Sequence, residues 1–116
     1  EPEGLGGTDA GPNPVEYVLG ALAACQEIVI KAHAVALGID VKEVSVEVEG
    51  NIDLNGFLNL SDARAGFTDI NYITKIKTDE KNPEKLEQLR ELSFSRCPVL
   101  DIIKNPVPVN GEVQFV

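Results

Sequence analysis

Histidine occurs once in this 116-residue sequence, at His33, and cysteine only twice, at Cys25 and Cys97. Two thiols far apart in sequence cannot make the dense cross-linking of a disulfide scaffold. With no C-x-x-C and a single histidine, the chain also lacks the ligands of a structural zinc site, and no metal or cofactor is expected. Basic residues are scarce as well: 10 Lys and Arg stand against 19 Asp and Glu, a formal net charge of −9. That balance argues against nucleic acid, whose phosphates need a basic face, and against an anionic membrane surface. Acidity of this degree favours solubility and says little about substrate. No signal-peptide pattern is visible, which points to the cytoplasm.

What is present is ordinary for a globular protein, with 43% hydrophobic and 25% charged residues. A chain of this length makes one domain, residues 1–116, able to bury a core without staples. The longest apolar tract, Val15 to Ile39, is interrupted by Glu16, Gln26, Glu27, Lys31 and His33. It reads as a buried helix rather than a membrane span. Asn13-Pro14 supplies its start, with asparagine as N-cap and proline at the first helical position, and Gly38 its close. Such a helix is about 36 Å long and apolar nearly all round between Tyr17 and Cys25. It should be buried on most faces, which favours a dimer or an enclosing sheet. Residues 1–13 are too rich in glycine and proline for a regular element. The first residue is not methionine and the run is loop-like, as if an upstream portion were missing or the numbering began where order begins.

Val44, Val46 and Val48 alternate with Glu43, Ser45, Glu47 and Glu49, the period-2 pattern of a strand with one packed face. Residues 53–66 form a turn-rich connection, and 70–78 a second strand with Ile70, Tyr72 and Ile76 on one face. Asn82-Pro83 repeats the capping signal and opens a helix towards Phe94, with Leu86, Leu89 and Leu92 as its stripe. A short helix follows Cys97-Pro98. Residues 107–116 suggest a hairpin-like or edge strand pair around Asn110-Gly111. The expected class is α+β, a few strands wrapped on a long central helix.

The chemistry rests on the two thiols, either as a redox pair or as two inert buried groups. Cys25 lies mid-helix, where the dipole gives little help and apolar flanks raise its pKa by desolvation. Cys97 precedes Pro98, which disfavours α geometry before it, so Cys97 should mark a helix break or an N-cap. There the free N–H groups favour a thiolate, making Cys97 the more acidic thiol on local grounds. Gln26 and Glu27 read as solvated helix residues facing away from the site. His33 sits eight residues past Cys25, too far along the axis for a Cys–His pair, and reads as surface or interface packing.

The run from Asn13 through Glu16 and the alanine-rich turn to Cys25, followed much later by Cys97-Pro98-Val99, resembles the OsmC/Ohr family of osmotically inducible and organic-hydroperoxide-resistance proteins. The element order is similar too, including Gly66-Phe67 before the second strand. The resemblance implies a long central helix packed against a small antiparallel sheet, in an intertwined homodimer with its site at the interface. It implies a thiol peroxidase in which Cys25 attacks an organic hydroperoxide and Cys97 resolves the sulfenic acid as a disulfide. A dithiol of the lipoyl type would then reduce that disulfide. Glu16 stands nearest to the family's arginine-orienting glutamate, although Val15 holds the matching place. Residues 1–13 contain no arginine to match the activating one, and Arg64, Arg90 and Arg96 are the only arginines present. These departures keep an alternative in play: an OsmC-like dimer without catalysis, binding a small apolar or thiol-reactive ligand at its interface.

Overall fold

In the computed structural model, which describes residues 1–116, Asn13 and Pro14 open the chain's longest element, α1 (Pro14–Leu37). The Asn13 side chain accepts the Glu16 N–H at 2.9 Å, and Glu16 Oε1 accepts the Asn13 N–H at 3.3 Å. This reciprocal capping box satisfies two donors that the first helical turn leaves free. Asn13→Ala is expected to cost about 1 kcal/mol, read as a lower urea midpoint with unchanged slope. At the other end Gly38 adopts φ 72°, and its N–H returns to Ala34 and Val35 carbonyls. Only glycine enters that left-handed conformation without penalty, so the helix stops there.

The strands follow as β1 (Val41–Ile52) and β2 (Phe67–Thr78), an antiparallel pair with a short helix, α2 (Leu54–Phe57), in the connection. Val44 pairs with Ile76, Val46 with Thr74, Val48 with Tyr72, and Gly50 with Ile70. Because side chains alternate across a strand, this register puts all eight residues on one half-buried face. Gly50 is needed at its place: a Cβ there would come within 2.6 Å of the Phe67 ring. Then come α3 (Pro83–Ser95), capped by Asn82, and α4 (Pro98–Lys104), capped by Cys97. Helix α1 packs against β1, α3 and α4.

The core is small and divided. One cluster joins Leu22, Val29, Cys97 and Leu100; the other joins Ile30, Ala34, Ile39 and Leu89. Between them on α1 lies Gln26, fully buried, where the sequence suggested a solvated residue. Its Nε2 donates to the Ser93 carbonyl at 2.8 Å, and its Oε1 accepts from the Thr74 hydroxyl at 3.3 Å. Burial is tolerated because both ends of the amide are partnered. Glu27, by contrast, pairs with Lys31 on the outside.

Three expectations need correction. Residues 1–13 do contain an element, a single 3₁₀ turn at Glu3–Leu5 closed by Gly6 in the left-handed region. The hairpin around Asn110-Gly111 does not form: residues 105–116 carry no strand and are exposed throughout. A turn signal closes a hairpin only where the flanking residues find an apolar face to cover, and within one chain they find none. Helix α1 is not buried on most faces either. The chain covers the side bearing Leu22, Gln26, Val29, Ile30 and Ala34, leaving Tyr17, Val18, Ile28 and Val35 exposed. By length and composition alone α1 could cross a membrane; here it is the element on which the sheet and the other helices are assembled.

Candidate functional site

Cys97 is placed by its own local sequence. Pro98 fixes the first position of α4 and holds Cys97 in extended geometry, φ −85° and ψ 110°. From there its Sγ accepts the Leu100 N–H at 3.4 Å, so the thiol is itself the helix cap, as its position before proline suggested. It is 1% exposed, enclosed with Leu22, Val29 and Leu100.

Cys25 comes to the same cluster from α1. The helix turns Leu22, Cys25 and Val29 towards α4, three and four residues apart on one side. There Cys25 packs against the cluster that encloses Cys97. Burial, above all, pushes the Cys25 thiol up; the Val99 contact pulls the other way, and the neighbouring Cys97 adds to the rise. This is the desolvation read from the apolar flanks, opposed by one backbone donor that the sequence gave no means to foresee. Cys25 is only half-buried, whereas Cys97 is sealed. The pair is therefore asymmetric, with Cys97 enclosed and Cys25 keeping part of its surface exposed.

Glu16 is not brought to this pair. It belongs to the capping box and lies nine residues before Cys25, about 13.5 Å along the axis. Beside it, Leu19, Gly20, Ala23, Val46 and Val48 line a shallow depression. Nor does an arginine act on Cys25, whose perturbation arises from burial, Val99 and Cys97. Arg90 pairs with Glu87, and Arg96 is exposed at the end of α3.

Arg64 instead borders a cavity of about 540 Å³ between α1, the sheet and α4. Its walls are largely apolar, with Leu22, Phe67, Ile70 and Ile103 among them, and Lys104 joins Arg64 as a second cation. Asp69 is the carboxylate of this wall, held below the usual carboxylate range by hydrogen bonds from Asn51 foremost and then Thr68. The cavity touches the thiol cluster through Leu22, Tyr72 and Leu100. Tyr72 is the residue that the sequence placed on the correct face without revealing its peculiarity. Its hydroxyl is buried and has no hydrogen-bond partner.

Fold and site together define an α+β protein in which a central helix carries an accessible thiol against a sealed one at the cap of a second helix. Residues 7–112 match the family described as OsmC-like protein, and the chain belongs to that family. Among solved structures it is similar to an OsmC-like protein from Mycoplasma pneumoniae, at 21% identity and a TM-score of 0.72, covering 91% of this chain and 70% of that one. An organic hydroperoxide resistance protein OsmC from Legionella pneumophila aligns at 23% identity and a TM-score of 0.62, over 90% and 71%. An OsmC-like hydroperoxide resistance protein from Jannaschia sp. aligns at 14% identity and 0.66, over 94% and 71%. No curated protein matches the sequence.

Proposed function

We propose that this protein is a cytoplasmic, thiol-dependent peroxidase that reduces organic hydroperoxides through a Cys25–Cys97 disulfide cycle and works as a homodimer. The observation that carries this reading is the asymmetric meeting of the only two thiols in the chain. In the first step the Cys25 thiolate attacks the terminal oxygen of the hydroperoxide. The O–O bond breaks, the alkoxide leaves and is protonated to the alcohol, and Cys25 becomes a sulfenic acid. Cys97 then attacks the Cys25 sulfur, an S–S bond forms, and the hydroxyl departs as water. A dithiol, such as a lipoyl group, returns both cysteines to thiols and is itself oxidised to a disulfide.

The dimer is supported by what one chain leaves uncovered. Ile28 and Val35 on α1 are 68% and 81% exposed, and Val109 and Phe115 in the C-terminal tail 86% and 97%. A monomer rarely shows so much apolar surface. The Cα radius of gyration is 18.1 Å, against about 13 Å for a compact chain of this length.

A second reading, a dimer that binds a small apolar or thiol-reactive ligand without turnover, draws on one observation. No cation stabilises the Cys25 thiolate, and burial opposes it. Mass spectrometry of non-reduced peptides separates the two, after one equivalent of cumene hydroperoxide is added to reduced protein. A rapid disulfide joining the Cys25 and Cys97 peptides is the expected result. Two unmodified thiols would overturn the peroxidase and leave the binding protein.

A further inference from the structure

We propose that the cavity bordered by Arg64 and Lys104 binds a flat aromatic monoanion, an aryl carboxylate. Its acid group lies at the two cations and its ring among Phe67, Tyr72 and Phe94. The inference goes beyond the disulfide cycle and holds for the reduced protein whether or not peroxide is turned over.

The head group follows from charge. Acidic side chains number 19 against 10 basic ones, yet none forms an ion pair with Arg64 or Lys104. Both cations line the cavity and are exposed, as the rim of a binding site would be. Lys104 also stands in the last turn of α4, where a positive charge suits the helix end. Arg64 has no such duty. Its backbone is held by close packing instead: a Cβ on Gly56 would strike the Arg64 carbonyl, so α2 sits directly on this part of the connection. Asp69, the carboxylate of the same wall, accepts hydrogen bonds from Asn51, Thr68 and Asn71, all of them neutral. Its charge against two cations leaves one positive charge over, which a monoanion balances. A dianion such as a phosphate monoester would add repulsion from Asp69. The guanidinium fork of Arg64 matches the two oxygens of a carboxylate.

The body of the ligand follows from the walls. The chain has four Phe, two Tyr and no Trp, and Phe67, Tyr72 and Phe94 all line this one cavity. Phe94 is 55% exposed, so part of its ring lacks a neighbour. Aromatic pairs in offset or edge-to-face contact gain beyond the area they bury. A volume of about 540 Å³ suits a small molecule, and apolar walls with a few placed charges are the usual make-up of such sites. Leu22 and Leu100 belong both to the cavity and to the cluster that encloses Cys97, so an occupant lies against the packing around the thiols.

The test is a titration of the reduced protein with 2-naphthoate, followed through amide shifts in two-dimensional NMR. Saturable shifts are expected at Arg64, Phe67, Ile70 and Lys104. The amide 2-naphthamide has the same shape without the charge and should bind about fivefold more weakly, the size of an exposed ion pair. Decahydro-2-naphthoate keeps the charge and loses the aromatic faces; it should bind about threefold more weakly. Arg64→Gln should bring naphthoate and naphthamide within about twofold of each other, and Lys104→Gln should narrow the same difference. Phe94→Leu should remove the preference for the aromatic acid over the saturated one. All three side chains are exposed, so the variants should fold. Equal binding of the amide would overturn the charge recognition. Equal or tighter binding of the saturated acid would overturn the aromatic recognition. Shifts confined to other residues, or no shifts at all, would overturn the site.

Discussion

Under the proposed cycle, Cys25→Ser reduces hydroperoxide consumption to the uncatalysed background, because the alcohol that replaces the thiol is no nucleophile at neutral pH. Cys97→Ser behaves differently. One equivalent of peroxide is still consumed, Cys25 stops as a sulfenic acid that a dimedone reagent traps, and turnover with a dithiol is lost. The measurement is peroxide loss in single- and multiple-turnover formats for both variants. Full multiple turnover in Cys97→Ser would remove the resolving role. The pH profile carries a sign of its own. Burial raises the Cys25 pKa, so at neutral pH the reactive thiolate is the minor form. The rate of the first step in the parent protein should climb with pH by up to tenfold per unit until the thiol is fully ionised.

The second large effect is on stability, at the residue that follows Cys25 on α1. Gln26→Ala removes the fully buried amide that ties α1 to α3 through the Ser93 carbonyl and to β2 through the Thr74 hydroxyl. The change leaves the buried Ser93 carbonyl and the half-buried Thr74 hydroxyl without this partner and opens a void between the two halves of the core. Together these are expected to cost about 3–5 kcal/mol, a large share of the stability of a domain this size. Chemical denaturation at fixed protein concentration checks it, since a dimer's midpoint moves with concentration. Gln26→Glu retains the volume, but its carboxylate would lie against the Ser93 carbonyl with no proton to share. It should cost nearly as much at neutral pH and recover on acidification, when the protonated acid can donate. A loss under 1 kcal/mol in Gln26→Ala would mean that the two core clusters do not depend on this bridge.

Gln26 also marks where the sequence stopped being legible. Its neighbours fix the helix and not the direction in which position 26 points, and a polar residue in an apolar run is equally consistent with solvent and with a buried bridge. Tyr72 is the complementary case. Period-2 alternation put it on the packed face, yet whether its hydroxyl meets a partner depends on α1 and α4, which arrive from distant parts of the chain. The tail shows a local signal overridden: Asn110-Gly111 favours a turn, but no surface within one chain rewards the strands that would flank it.

The sequence by itself determined where the three longer helices start and where the first of them stops. Asn13-Pro14, Gly38, Asn82-Pro83 and Cys97-Pro98 act through the backbone within a few residues, so their effect survives without tertiary context. It also determined which strand faces are packed, because side-chain alternation is a property of the chain alone. Tertiary structure decided the rest: that Cys25 packs into the cluster of Cys97, and that Cys97 is sealed while Cys25 is half-buried. Cys25 and Cys97 are separated by both strands and α3, and no local rule reaches across that distance. Only the packing of α1 against β1, α3 and α4 brings the two thiols to one cluster.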